Sequence, residues 1–232
     1  MNKAISIKNM FKAPQNVDEI KDMYTLHNLI YYYPIEEFFN VLTHALGVVV
    51  GLVLLIFMTL AAKTPVEYVT AVFSSIAIMV MYGCSTAYHA VTNIRTKSFL
   101  RRIDYASINL TVIACGTGAC LLHGNVSGYA IYGVAIALSL VVMLLCVFFF
   151  GKFRYFAVVS NFINGALLSA AYIIAAPSIP LVATGFYIAG LLLVLIGACL
   201  FGVKTKFIHS VFHVFVLVGP MLCMLSNLYQ II

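Results

Sequence analysis

Seven apolar stretches, each close to the roughly twenty residues that a helix needs to cross about 30 Å of hydrocarbon, follow one another from Phe38 to the end of this chain. They run Phe38 to Ala62, Tyr68 to Val91, Ile103 to His123, Ser127 to Phe150, Tyr155 to Ala176, Leu181 to Val203 and Phe207 to Ile232. Turn chemistry separates them: Lys63-Thr64-Pro65, His123-Gly124-Asn125, Gly151-Lys152 and Pro177-Ser178-Ile179-Pro180. With 63% hydrophobic and 9% charged residues and a mean hydropathy of +1.07, too little polar surface remains for a domain that faces water. Barrel strands would alternate in segments of about ten residues, which these do not. The expected fold is an all-α integral membrane protein, a bundle of seven transmembrane helices.

Basic residues orient it. Lys3, Lys8, Lys12 and Lys21 precede span 1; Arg95, Lys97, Arg101 and Arg102 join spans 2 and 3; Lys152 and Arg154 join spans 4 and 5; Lys204 and Lys206 join spans 6 and 7. Of the 13 basic residues only Lys63 falls on the other side. Cytoplasmic loops attract Lys and Arg, so the N-terminus is expected in the cytoplasm and the C-terminus outside, in a multi-pass protein of the cell membrane. The net charge of +6 is a topology signal and carries no implication of a nucleic-acid partner. All six cysteines (84, 115, 120, 146, 199 and 223) fall inside spans without close pairing, which reads as packing and not as a disulfide framework. Residues 1–37 form a leader before the domain of residues 38–232, and no cleavable signal peptide is apparent in it. Asn16 with Glu19 resembles a helix-starting capping box, and Ile20, Met23, Tyr24, His27, Ile30 and Tyr31 recur at helical spacing. A short amphipathic helix on the inner membrane surface is expected, with Tyr31, Tyr32 and Tyr33 at the interface and Pro34 ending it.

Ionisable groups inside spans cost free energy, about 2.5 to 3.5 kcal/mol for a charge at mid-helix, so each needs a reason. Span 1 carries His44 after Glu37, Asn40 and Thr43; span 2 ends with Ser85 and His89; span 3 opens with Asp104; span 7 opens with His209 and His213. With the expected orientation, all lie within about 10 Å of the inner ends of their helices. Independent placement would seldom bring four helices to one level. Three imidazoles, a carboxylate and a hydroxyl suit zinc, which takes neutral His nitrogens at about 2.0 to 2.1 Å and, when catalytic, keeps one coordination position open. His209 and His213 share one helical face and His89 supplies the third nitrogen. Asp104 and Ser85 then have roles around the reacting water, whose pKa zinc lowers to about 7, with Asp104 as general base. The plainer readings are a packed interhelical His pair, a Ser85 bonded to its own backbone, and an Asp104 paired with Arg101 or Arg102. His44 is open between a role behind the ligands, a substrate contact and a structural hydrogen bond to Asn40; His123 and His27 take no part.

The pattern Glu37-x-x-Asn40-x-x-Thr43-His44, Ser85-Thr86-x-x-His89, Arg101-Arg102-Ile103-Asp104 and His209-x-x-x-His213 resembles the hemolysin III family, related to the progestin and adipoQ receptors. The resemblance runs from about Glu36 to the C-terminus. It implies a seven-helix bundle with zinc near the cytoplasmic surface, held by His89, His209 and His213, with Asp104 and Ser85 beside it. Adiponectin receptors and alkaline ceramidases in the wider superfamily imply hydrolysis of a lipid amide, whereas the family name records haemolytic activity. Two departures bear on the packing beside the cavity and so on the substrate. Tyr105 follows Asp104 where many relatives have His, and Cys115-Gly116-Thr117-Gly118-Ala119-Cys120 stands where they have a Gly-Thr-Tyr-Thr-Pro run.

The leading expectation is a zinc-dependent hydrolase acting on a lipid or acyl-amide substrate that enters from the bilayer. A pore-forming or membrane-perturbing protein with a structural zinc is the alternative, disfavoured because ionisable groups stop on the inner side and the outer halves read as apolar. A seven-helix receptor ranks below both, since the outer loops are very short.

Overall fold

Each long helix starts where a proline or a side-chain acceptor satisfies its first turn. In the computed structural model, which describes residues 17–123, 125–203 and 205–232, the leader forms α1 (Val17–Leu26). Then come α2 (Pro34–Ala61), α3 (Pro65–Ala90), α4 (Ile94–Leu121), α5 (Val126–Ala175), α6 (Leu181–Leu200) and α7 (Ile208–Ile231), with a 3₁₀ turn over Ala176–Ser178. Pro34 and Pro65 open α2 and α3, where a missing N–H costs nothing. Thr64 and Glu67 close a reciprocal capping box, Glu67 N donating to Thr64 Oγ1 (3.3 Å) and Thr64 N to Glu67 Oε2 (2.9 Å). Asn93 and Asn125 cap α4 and α5 by accepting from Thr96 N and Ser127 N.

The leader helix exists but is shorter than its spacing predicts. It stops at Leu26, Asn28 takes a left-handed φ of 52°, and Pro34 begins α2 instead of ending α1. Asn16 of the expected capping box lies outside the described residues, as do Lys3, Lys8, Lys12 and Lys204. α4 begins at Ile94, nine residues before the apolar run that announces it.

α5 holds expected spans 4 and 5 in one 50-residue helix, interrupted at Phe149 (φ −129°, ψ 38°). A straight helix would set Ser139 and Asn164 about 37 Å apart, at 1.5 Å per residue. Yet Asn164 Nδ2 donates to Ser139 Oγ at 2.8 Å, and Val142, Cys146 and Ala157 share one cluster. The helix therefore folds back on itself at Phe149, and both halves pack against α4 through Ile113, Tyr132 and Leu168.

Side-chain placement is that of an α-helical membrane protein. Among the described residues, five helices are long and apolar enough to cross a bilayer, and their outward faces carry bare hydrophobic groups such as Leu60, Phe148 and Leu181. Asn40, Asn109, Asn164 and Asn227 are buried. α7 is the hub, packing on α2, α3, α4 and α6. Against α6 the backbones meet at glycines: a Cβ on Gly190 would stand 2.5 Å from Gly219 O, and one on Gly219 2.9 Å from Gly190 O.

The half of the bundle away from the basic loops is less apolar than expected. Asn227 bonds Ala114 O and Gly118 N, Thr117 pairs with the Tyr132 hydroxyl, and His123 pairs with Gln230 (3.1 Å). These groups satisfy one another between helices, so they need no water.

Candidate metal centre

The site is assembled by the start of α7. Phe207, at the N-cap, has a left-handed φ of 64° and no side-chain cap of its own. Glu36, 4% exposed, caps it from α2: Oε1 accepts from Phe207 N (2.5 Å) while Oε2 accepts from Tyr33 N (2.9 Å). A carboxylate at a helix N-terminus satisfies orphan N–H groups and complements the dipole. One residue thus ties the starts of α2 and α7 together, and Ser210, donating to Asn40 Oδ1 (2.7 Å), adds the next rung.

That register brings the α7 histidines against α2 and α3. His209 and His213 present their Nε2 atoms to each other at 3.1 Å. His89, from the last turn of α3, completes a group whose potential ligand atoms all lie within 4.8 Å of one another. Two ligand nitrogens of a tetrahedral zinc stand about 3.3 Å apart, so the α7 pair already has the required separation. The protonation pattern fits too. His89 Nδ1 meets Glu37 Oε2 at 2.5 Å, which makes Nδ1 the donor and leaves Nε2 bare; Nε2 is buried and has no hydrogen-bond partner among the described residues. A carboxylate on the far nitrogen of a histidine is the usual support for a metal ligand. These residues could hold a divalent ion.

Behind them lies a group that hydropathy does not reveal. Lys97 is 1% exposed, its Nζ 2.8 Å from Glu37 Oε1 and donating to the carbonyls of Tyr88, His89 and Val91. It neutralises Glu37 and caps the C-terminal end of α3. Tyr32 stacks on His209 with centroids 4.5 Å apart, and burial, with the Glu37 carboxylate adding to it, pushes its phenol above the ordinary range. His44 stacks on His213 at 3.9 Å with neither ring nitrogen bonded, so the hydrogen bond to Asn40 weighed from sequence does not form. Asn40 instead places its amide nitrogen 3.3 Å from His89 Nδ1.

Asp104 lies against Ser85 and within the electrostatic reach of His89. Among the described residues no ion pair joins it to Arg101 or Arg102; the Arg101 guanidinium lies over the rings of Tyr105 and Phe150, 5.4 and 5.3 Å from their centroids. Every residue singled out from sequence for the site is therefore at one end of the bundle. Glu36, Lys97 and Tyr32 are the additions. Only the side-chain oxygen of Glu36 facing a helix start has a local signal, the acidic first turn after Pro34.

A family described as Haemolysin-III related matches residues 32–224. The "Hemolysin-3 homolog" of Bacillus subtilis (strain 168) is 27% identical over 198 residues, covering 79% of this chain and 89% of that protein. With the match spanning α2 to most of α7 and every residue of the histidine cluster, the chain belongs to the haemolysin-III related family.

Proposed function

We propose that this chain is a zinc-dependent membrane hydrolase acting on a lipid or acyl-amide substrate, built as seven membrane-spanning segments with the N-terminus in the cytoplasm. The observation that carries this reading is the bare, buried Nε2 of His89, its other nitrogen held by Glu37, in one group with the facing Nε2 atoms of His209 and His213. A divalent ion held by these three residues supplies a Lewis acid for the substrate carbonyl.

The rest of the chemistry belongs to the side chains. Glu37 keeps His89 in the tautomer that can ligate, and Lys97 balances the charge of the Glu37 carboxylate. Asp104 is the base: its carboxylate takes the proton from the attacking water and returns it to the leaving amine. Ser85 orients that carboxylate. The stacked rings of Tyr32 and His44 wall the histidines and exclude bulk water. The fold-back of α5 at Phe149 supports a count of seven segments, and Lys97, Arg101, Lys152 and Lys206 at the same end as the site support a cytoplasmic location.

Protein purified in detergent without chelator is expected to carry one zinc, lost in His209→Ala and His213→Ala by elemental analysis. Asp104→Asn is expected to keep the zinc and to lose about 10²- to 10⁴-fold in amide hydrolysis. Folded wild-type protein without metal overturns the metal reading, and unchanged turnover in Asp104→Asn overturns the base. The name of the Bacillus relative raises lysis as a second activity. Liposome leakage by the wild type that survives Asp104→Asn assigns the centre a bracing role instead.

A further inference from the structure

A cavity of about 330 Å³ opens beside the histidine cluster, under the leader. Of the site it is lined by Glu37, His89 and Lys97, and of the leader by Tyr24, Tyr31 and Tyr32, which form its roof. The roof is fixed in place. Ser98 at the start of α4 donates to His27 O (3.2 Å), Leu29 is buried, and Tyr24 and Tyr31 meet edge to face at 5.6 Å. At the rim stand Val41 and Phe38, the latter 43% exposed on the outward face of α2. The cavity is thus polar at Glu37, His89 and Lys97 and apolar where it meets the surface that faces lipid. Its volume falls in the range of small-molecule sites, about 300 to 1,000 Å³.

Among the described residues, two buried side-chain polar atoms of the lining have no hydrogen-bond partner, Tyr31 Oη and His89 Nε2. The only ionic groups of the lining, Glu37 and Lys97, neutralise each other at 2.8 Å. A ligand therefore finds a hydroxyl donor and an apolar channel, with no net charge to meet a carboxylate or a phosphate. The family match begins at residue 32, so Tyr24 and Tyr31 lie in the leader that precedes it.

We infer that the leader forms part of the binding site: an uncharged, single-chain acyl amide lies in this cavity, its carbonyl accepting from Tyr31 and its chain passing over Val41 and Phe38 into the bilayer. The leader tyrosines then select the substrate of the proposed hydrolase. The fate of the ligand rests on the hydrolase reading, whereas its binding rests on the cavity alone.

The test uses full-length protein in phosphatidylcholine nanodiscs and dodecanamide bearing a terminal benzophenone, with photolabelled peptides mapped by mass spectrometry. Label is expected on the segment from Tyr24 to Val41, protected by excess dodecanamide and at least tenfold less by dodecanoate. Tyr31→Phe is expected to weaken labelling about three- to tenfold, the worth of one hydrogen bond. Thr92→Trp fills the cavity from the exposed α3–α4 connection and is expected to abolish labelling. Both variants should melt at the wild-type temperature. Label elsewhere on the protein, label unchanged in Thr92→Trp, or equal protection by dodecanoate overturns the proposal. Zinc analysis of the same samples separates the two readings. Metal-free protein labelled on the leader overturns the hydrolase and upholds the cavity; zinc-loaded protein labelled elsewhere overturns the cavity and leaves the metal reading standing.

Discussion

Glu37 shows how much of the centre depends on one side chain. One oxygen fixes the tautomer of His89 and the other neutralises a lysine that is almost wholly buried. Glu37→Gln keeps the size and one acceptor but removes the charge, leaving His89 free to choose its tautomer and Lys97 without a counterion. Zinc affinity, measured by competition with a chelator, is expected to fall about 10- to 100-fold, the usual cost of losing such a support; wild-type affinity in the variant would show that Glu37 serves only the fold. The histidines were legible in sequence because basic residues mark the ends of the helices, and the ends set the depth of His89, His209 and His213. Lys97 was not legible for the same reason. It reads as one more loop cation, since hydropathy marks the edge of the apolar run at Ile103 while the α4 helix starts at Ile94 and carries Lys97 beneath the end of α3. Tyr32 reads as an interfacial aromatic, and nothing local says that its ring stacks on His209.

At the scale of elements, α7 holds the site and also contains its weakest point. Pro220 stands inside the helix, where it cannot donate to the carbonyl of Val216. That orphan is taken by another helix: Tyr82 Oη of α3 lies 3.0 Å from Val216 O and 3.1 Å from Leu217 O. Gly47 of α2 makes the room, because a Cβ there would stand 2.7 Å from the Tyr82 ring. The same ring meets His44 edge to face, so the repair of the proline is linked to the wall of the histidine cluster. Tyr82→Phe removes the donor without changing the packing. It is expected to destabilise by about 1 to 3 kcal/mol, the cost of a buried unsatisfied carbonyl, seen as a lower melting temperature in detergent; an unchanged melting temperature would mean that water reaches α7. Helix starts were legible wherever the cap is local, as at Thr64-Pro65 and Asn125. The bend at Phe149 lies two residues before the Gly151-Lys152 signal, because the reversal is closed by Asn164 and Ser139, 25 residues apart in sequence.

Across the whole molecule, polarity is inverted relative to a water-soluble domain. Its outer faces are aliphatic and aromatic, while amides, hydroxyls and imidazoles are buried inside. The apolar runs made that inversion legible, but not the inner network at the far end: Thr117, Asn227 and Gln230 occur singly in long apolar windows and become a network only when α4, α5 and α7 meet. With α5 folded back, the short connections divide into two sets. Lys63, Asn125 and Ser178 lie on one side; Thr92, Lys152 and Lys206 lie on the other with the histidine cluster. In the proposed orientation the second set is expected in the cytoplasm, since Lys and Arg resist transfer across the membrane. Single cysteines at these positions decide the matter in intact cells treated with a membrane-impermeant maleimide. Lys63→Cys and Ser178→Cys are expected to react at once, and Lys152→Cys only after permeabilisation. The reverse pattern would put the histidines on the outer side. Equal labelling of Lys63→Cys and Lys152→Cys would mean that the two halves of α5 do not each cross the bilayer.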